Sequence, residues 1–164
     1  MRGLFAMIRQ LSPEDASLLR SLRLRALSDA PFAFRGTLAE ESQLSTSVWQ
    51  DMLRDGNNRF FILETNDVVC GIGGVFAPDD ELRAQLWFLW VPSTHRGRGS
   101  SDELVEHVIK WARDSRATRL SLHVSDGNVP AENLYLRHGF RRTGVTLERE
   151  RDGAIEFEME LGLN

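Results

Sequence analysis

The sequence predicts an α+β fold built on a single mixed, mostly antiparallel sheet flanked by helices. Two apolar-rich runs, 59–65 and 68–76, are separated only by Asn66-Asp67, the spacing of a tight hairpin. The run Leu86-Trp87-Phe88-Leu89-Trp90-Val91 leads through a glycine-rich turn into helical periodicity over 102–113. The alternating segment 119–125 follows, which makes a strand–helix–strand unit in mid-chain. No linker, repeat or low-complexity stretch interrupts the pattern, so residues 1–164 read as one domain.

Taken in order, Met7 to Leu11 reads as a strand, with residues 1–6 an unstructured extension before it. Ser12-Pro13-Glu14-Asp15 is a helix start, with a capping serine, proline in the first position and acids in the first turn. Leu18, Leu19, Leu22, Ala26 and Leu27 carry a stripe that ends near Ala30-Pro31, and segment 32–46 has no periodicity that assigns it. Thr46 to Arg54 is a second amphipathic helix, with Val48, Trp49, Met52 and Leu53 toward the core. After the turn Pro78-Asp79-Asp80 comes a strand from Glu81 to Val91. Leu104, Val105, Val108, Ile109, Trp111 and Ala112 recur at helical spacing, and Leu120, Leu122 and Val124 alternate as in a half-buried strand. A short helix from Pro130 to Arg137 stops at Gly139, and strands near 140–150 and 154–161 complete the chain.

Composition narrows the function. A hydrophobic content of 41% with 27% charged residues is ordinary for a soluble domain. The net charge of -4, with arginines interleaved among acids, speaks against nucleic acid as a partner and suits a small amine. Cys70 is the single cysteine, so no intrachain disulfide forms, and its apolar neighbours make it a buried small residue. The N-terminal apolar stretch is too short for a secretory signal and no run spans a bilayer, so a cytoplasmic protein without membrane contact is expected. Four histidines lack ligand spacing, and no metal is expected. His95 and His138 read as turn residues, His107 as solvated on the polar side of its helix, and His123 as a member of an alternating strand.

The segment Arg96-Gly97-Arg98-Gly99-Ser100-Ser101 lies between a strand and a helix start. The free N–H groups of a first helical turn and the helix dipole favour an anion there. Glycines at 97 and 99 allow close backbone approach, and Arg96 and Arg98 offer charge-assisted hydrogen bonds. The loop lacks the Lys-Ser/Thr ending of a nucleotide phosphate loop.

Three blocks give the chain a specific likeness. Val91-Pro92 followed by Arg96-Gly97-Arg98-Gly99 is the first; Asn128, Ala131, Leu134-Tyr135 and Gly139-Phe140 form the second; Val69-Cys70-Gly71-Ile72-Gly73-Gly74 is the third. With these the sequence resembles the GNAT superfamily of acetyl-CoA-dependent N-acetyltransferases over nearly its whole length. The resemblance implies a sheet splayed in the middle by a strand bulge to admit acetyl-CoA. It places the pyrophosphate on the amides of Arg96, Gly97, Arg98, Gly99, Ser100 and Ser101, and the pantetheine arm along Leu89, Trp90 and Val91. Asn128, also a turn residue in Asp126-Gly127-Asn128, then hydrogen-bonds that arm. Ser100 and Ser101 depart from the family's Ile/Val and Gly/Ala, and Asp102 and Glu103 would oppose a pyrophosphate if they faced it.

The implied chemistry is acetyl transfer to a primary amine, with a backbone N–H near Leu89 polarising the thioester and Tyr135 as general acid. Tyr135, the only tyrosine, can alternatively pack its ring on the sheet. The family's usual base position holds Gln85, which accepts no proton but can orient substrate or water. Glu81, Glu40, Glu41 or a water chain are then the open choices for a base. Phe32, Phe34 and Trp87 either line the acceptor site or pack in the core. A homodimer through a sheet edge fits the same pattern. The alternative class is a non-catalytic acyl-CoA-binding or sensing module on the same fold.

Overall fold

A computed structural model describes residues 6–78 and 82–163. Along the chain lie β1 (Ala6–Gln10), α1 (Ala16–Asp29), α2 (Leu38–Glu41), α3 (Thr46–Arg54), β2 (Asn58–Thr65), β3 (Val68–Phe76) and β4 (Arg83–Trp90). They continue with α4 (Ser100–Asp114), β5 (Arg119–Ser125), α5 (Val129–Arg137), β6 (Arg141–Glu148) and β7 (Ile155–Gly162). The strands form one sheet in the order β1-β2-β3-β4-β5-β7-β6, in which only the β4–β5 pair is parallel.

The expected elements appear with small shifts. Asn66 and Asp67 adopt φ of 51° and 63°, the left-handed backbone of a two-residue hairpin turn. β1 starts at Ala6, inside the expected extension; the rest of that extension lies outside the described residues, as do Asp79, Asp80 and Glu81. The first helix is preceded by a 3₁₀ turn at Pro13–Asp15, and its entry is closed by Asp15, whose carboxylate accepts from the Ser12 N–H at 2.8 Å. Segment 32–46 contains a 3₁₀ turn (Pro31–Ala33) and α2, both too short for periodicity to reveal.

The two faces of the sheet bury different clusters. Leu19, Leu22 and Leu27 of α1 and Trp49 of α3 pack with Phe60, Ile62, Ile72 and Phe88 on one face. Val105, Val108 and Ile109 of α4 pack with Phe61, Val75, Leu120 and Leu122 on the other. Burying each such side chain contributes roughly 1.5–3 kcal/mol. Cys70 is buried, as its neighbours predict.

Two irregularities open the middle of the sheet. Gly74 pairs with Phe88 and Val75 with Leu86, so Trp87 is the extra residue of a bulge in β4. A Cβ on Gly74 would lie 3.1 Å from the Phe60 ring and 3.3 Å from the Phe88 Cβ, so glycine permits the close packing there. Beyond the bulge β4 and β5 part company: their ladder is confined to Arg83, Ala84 and Gln85 against Arg119, Leu120 and Ser121. The backbone edge of β4 from Leu86 to Trp90 is therefore unpaired toward β5.

Candidate functional site

The gap between β4 and β5 forms a cleft of about 420 Å³, walled by Leu89, Trp90 and Val91 on one side and by Asn128, Ala131 and Tyr135 on the other. Ala30, Phe32, Ala33 and Phe34 cover it, and Arg96 and Ser101 stand at its mouth. A smaller inner chamber of about 80 Å³ continues past Phe34, Leu89 and Tyr135 to Trp87 and His123. The unpaired edge of β4 accounts for the shape, because alternate peptide groups of a strand end face an open gap that an extended molecule can enter.

The turn at the mouth has the conformation that its glycines predict. Gly97 and Gly99 have φ of 74° and 81°, and Gly99 is the N-cap of α4. A side chain at Gly99 meets nothing within 4 Å, so it is the backbone conformation that demands glycine. Ser100 is buried at the start of α4, while Ser101 lines the cleft and makes no capping bond. The side chain of Arg96 bonds within the protein. Its Nε donates to the Val91 carbonyl at 3.0 Å and its Nη2 to the Asp29 carboxylate. The Trp90 indole N–H donates to the same carboxylate at 3.0 Å. Trp90 first, and then Arg96 against the opposing effect of burial, hold Asp29 below the usual carboxylate range. Arg96 thus ties the turn to the end of α1, and Arg98 is the exposed arginine beside it.

Asp102 is turned away from the mouth. Its Oδ1 lies 2.7 Å from His138 Nε2 and 3.2 Å from Arg137 Nη2. Burial disfavours its charge, but the bonds from His138 and Arg137 outweigh that and keep the carboxyl below its ordinary value. A negative charge in the first turn of α4 is thereby directed to the end of α5.

Tyr135 faces both chambers. Its ring packs edge-on to Phe140 at 5.7 Å, which is the packing role open to it. Burial pushes its phenol well above the ordinary tyrosine range, so it keeps its proton at neutral pH. Asn128 caps α5, its Oδ1 accepting from the Ala131 N–H at 3.4 Å, and it too borders both chambers.

This arrangement has counterparts among known proteins. Residues 22–140 match the model of the Acetyltransferase (GNAT) family. The chain belongs to the GNAT acetyltransferase family. N-acetyltransferase 8B of Rattus norvegicus is 34% identical over 101 residues, covering 59% of this chain and 46% of the relative. The chain spans about half the length of such relatives. A GNAT acetyltransferase structure from Streptococcus pneumoniae superposes with a TM-score of 0.81 at 23% identity, covering 98% of this chain and all 100% of that one. The Salmonella typhimurium protein yncA, solved with its cofactor acetyl-CoA, gives 0.78 at 17% identity over 98% of this chain and 95% of its own.

Within this GNAT domain the four aromatic and amide residues expected at the acceptor separate. Phe34 is buried edge-on to Phe88 at 5.4 Å and borders both chambers, whereas Phe32 is largely exposed at the rim. Trp87, extruded by the bulge, lines the inner chamber and meets Phe60 edge-on at 5.6 Å. Gln85 lies just beyond, its Nε2 3.2 Å from His123 Nδ1. Glu41 is committed to an ion pair with Arg23 at 2.9 Å, and Glu40 borders an open depression beside Arg35 rather than the cleft. His107, expected in solvent, is half-buried edge-on to Phe61 at 4.6 Å.

The residue that sequence reasoning undervalued is His123. Burial, and then Arg35, hold its pKa below the ordinary histidine value against the opposing pull of Glu156 and Glu158. Its imidazole lies on the wall of the inner chamber. The alternation Ser121, His123, Ser125 set it opposite the core-facing leucines, but only the gap beside β5 makes that face a site. Among the described residues no cluster of side chains could hold a metal, and no helix is long and apolar enough to cross a membrane.

Proposed function

We propose that this chain transfers the acetyl group of acetyl-CoA to a primary amine by direct attack in a ternary complex. The observation that carries the reading is the unpaired edge of β4, Leu86 to Trp90, followed after Val91-Pro92 and a 3₁₀ turn at Ser93–His95 by the glycine turn Arg96 to Ser101 at the mouth of the same cleft. The first offers backbone partners to an extended amide-bearing arm, and the second offers free amides and a helix N-terminus to a pyrophosphate. Arg98 supplements those amides, with Ser101 as a hydroxyl partner. The acetyl-CoA-bound relative of the same fold supports this assignment.

In the proposed reaction the thioester carbonyl points to a backbone N–H near Leu89, which stabilises the oxyanion. The neutral amine enters from the inner chamber, past Trp87, Phe34 and Gln85, and forms the new C–N bond. The C–S bond breaks as the tetrahedral species collapses. Tyr135 gives its proton to the departing thiolate, and His123 takes the proton released by the amine. Asn128 holds the arm while it caps α5. The acceptor is a small molecule or a peptide end, and no nucleic acid or membrane is needed.

Isothermal titration with acetyl-CoA, combined with thiol release over a panel of amino acids, polyamines, aminoglycosides and peptide N-termini, tests the reading. Binding with thiol release on at least one amine is expected. Binding without release on any of them would instead establish an acyl-CoA-sensing module.

A further inference from the structure

The segment 31–36 covers the cleft with Phe32, Ala33 and Phe34, yet it has little hydrogen bonding of its own beyond Ala33 N–H to Ala30 O at 3.0 Å. Its order comes from the turn between β6 and β7. Arg149, a buried guanidinium, donates from Nη1 to the carbonyls of Phe32 at 2.9 Å and Phe34 at 3.2 Å. Arg151 donates from Nη2 to Pro31 O at 3.1 Å and from Nη1 to Arg35 O at 3.3 Å and Gly36 O at 2.9 Å. Five of the six carbonyls of 31–36 therefore accept from two arginines more than 110 residues away in sequence.

The turn is itself braced. Asp152 accepts from Arg149 Nε at 2.9 Å and Nη2 at 3.0 Å, and from the Ala154 N–H at 3.1 Å. Arg149 N–H donates to Ala154 O at 2.8 Å, and Gly153 N–H to Arg149 O at 2.7 Å. Arg149 is thus fixed on one edge by a carboxylate and presents its other edge to the covering segment. A guanidinium suits this task because its planar fork addresses several oxygens at once, which an ammonium on a flexible stem does not. From the other side Ser125 Oγ donates to Phe32 O at 3.1 Å, so the cover is also pinned to the end of β5.

We propose that Arg149 and Arg151 are positioning residues for the acceptor. They hold the backbone of 31–36 from outside, so that Phe34 presents a fixed wall to the amine inside. This rests on the transfer reading given above, because the wall is an acceptor wall only if an amine enters there. The surface of Phe34 that meets the inner chamber is then set by a turn that lines neither chamber.

The test uses the whole chain with Arg149→Lys and Arg151→Ala, the second being exposed enough that loss of folding is not expected. Hydrogen exchange is followed without ligand at the Ala33 amide, the hydrogen-bonded N–H of the covering segment. Thiol release is followed with acetyl-CoA and two probe amines, spermidine and an alanyl peptide amide. Exchange at Ala33 should rise tenfold or more in both variants while α4 is unchanged. The KM for an accepted amine should rise fivefold or more, with kcat and the KM for acetyl-CoA within twofold. Unchanged exchange overturns the positioning role. Equal increases in KM for amine and acetyl-CoA overturn its assignment to the acceptor. Wild-type thiol release with neither amine counts against the transfer reading, and the exchange arm still decides whether the turn holds the cover.

Discussion

Tyr135 stands where the two chambers meet, with its phenol kept protonated by burial. Tyr135→Phe should lower kcat by roughly 10²-fold, within the range of general acid catalysis, and leave the acetyl-CoA dissociation constant within about twofold. Steady-state kinetics with parallel titration calorimetry checks this, and turnover equal to wild type across pH would remove the acid role. His123 gives a pH signature. Its pKa lies below the ordinary histidine value, so the base stays neutral through neutral pH, and kcat, which reports the ternary complex, should hold there and fall on the acid side of neutrality. His123→Gln should flatten that acidic limb, as a pH–rate profile will show. At this scale the sequence was unevenly legible. Tyr135 and Asn128 stand out because motif and local chemistry agree on them. The bond of Arg96 to Asp29 was not visible, because that partner is 67 residues away and enters only through the fold.

Among the elements, the turn before α4 was the most readable, since positive φ at Gly97 and Gly99 is a local demand written in residue type. Gly99→Asp, whose short side chain is among those that accept the left-handed backbone, should set a carboxylate at the anion site. Acetyl-CoA binding should weaken more than 100-fold in calorimetry, while Gly99→Asn, which tolerates that backbone without charge, should retain much of it. The acids after the turn looked unfavourable for cofactor affinity from sequence alone. Asp102 is directed instead to Arg137 and His138, so its cost to a pyrophosphate is largely offset. The hairpin at Asn66-Asp67 was equally plain, because turn and flanking alternation are both local. Segment 32–46 was not legible for the opposite reason: the carbonyls of Phe32, Phe34, Arg35 and Gly36 are satisfied by Arg149 and Arg151, and no local pattern encodes such partners.

For the molecule as a whole, the mixed sheet was recoverable from element order, and the residues matching the family model include the turn, Asn128 and Tyr135. The depth of the opening was not recoverable, because it depends on where the β4–β5 ladder stops, after three residue pairs. That stopping point turns ordinary strand residues into cleft walls and brings His123 to the chamber. Hydrogen exchange of the whole chain with and without acetyl-CoA measures this directly. Added protection should concentrate at amides within Leu86–Val91 and Arg96–Ser101, with β1 and β2 unchanged. Protection absent from those two segments, or appearing mainly elsewhere, would contradict the assignment of acetyl-CoA to the β4–β5 gap.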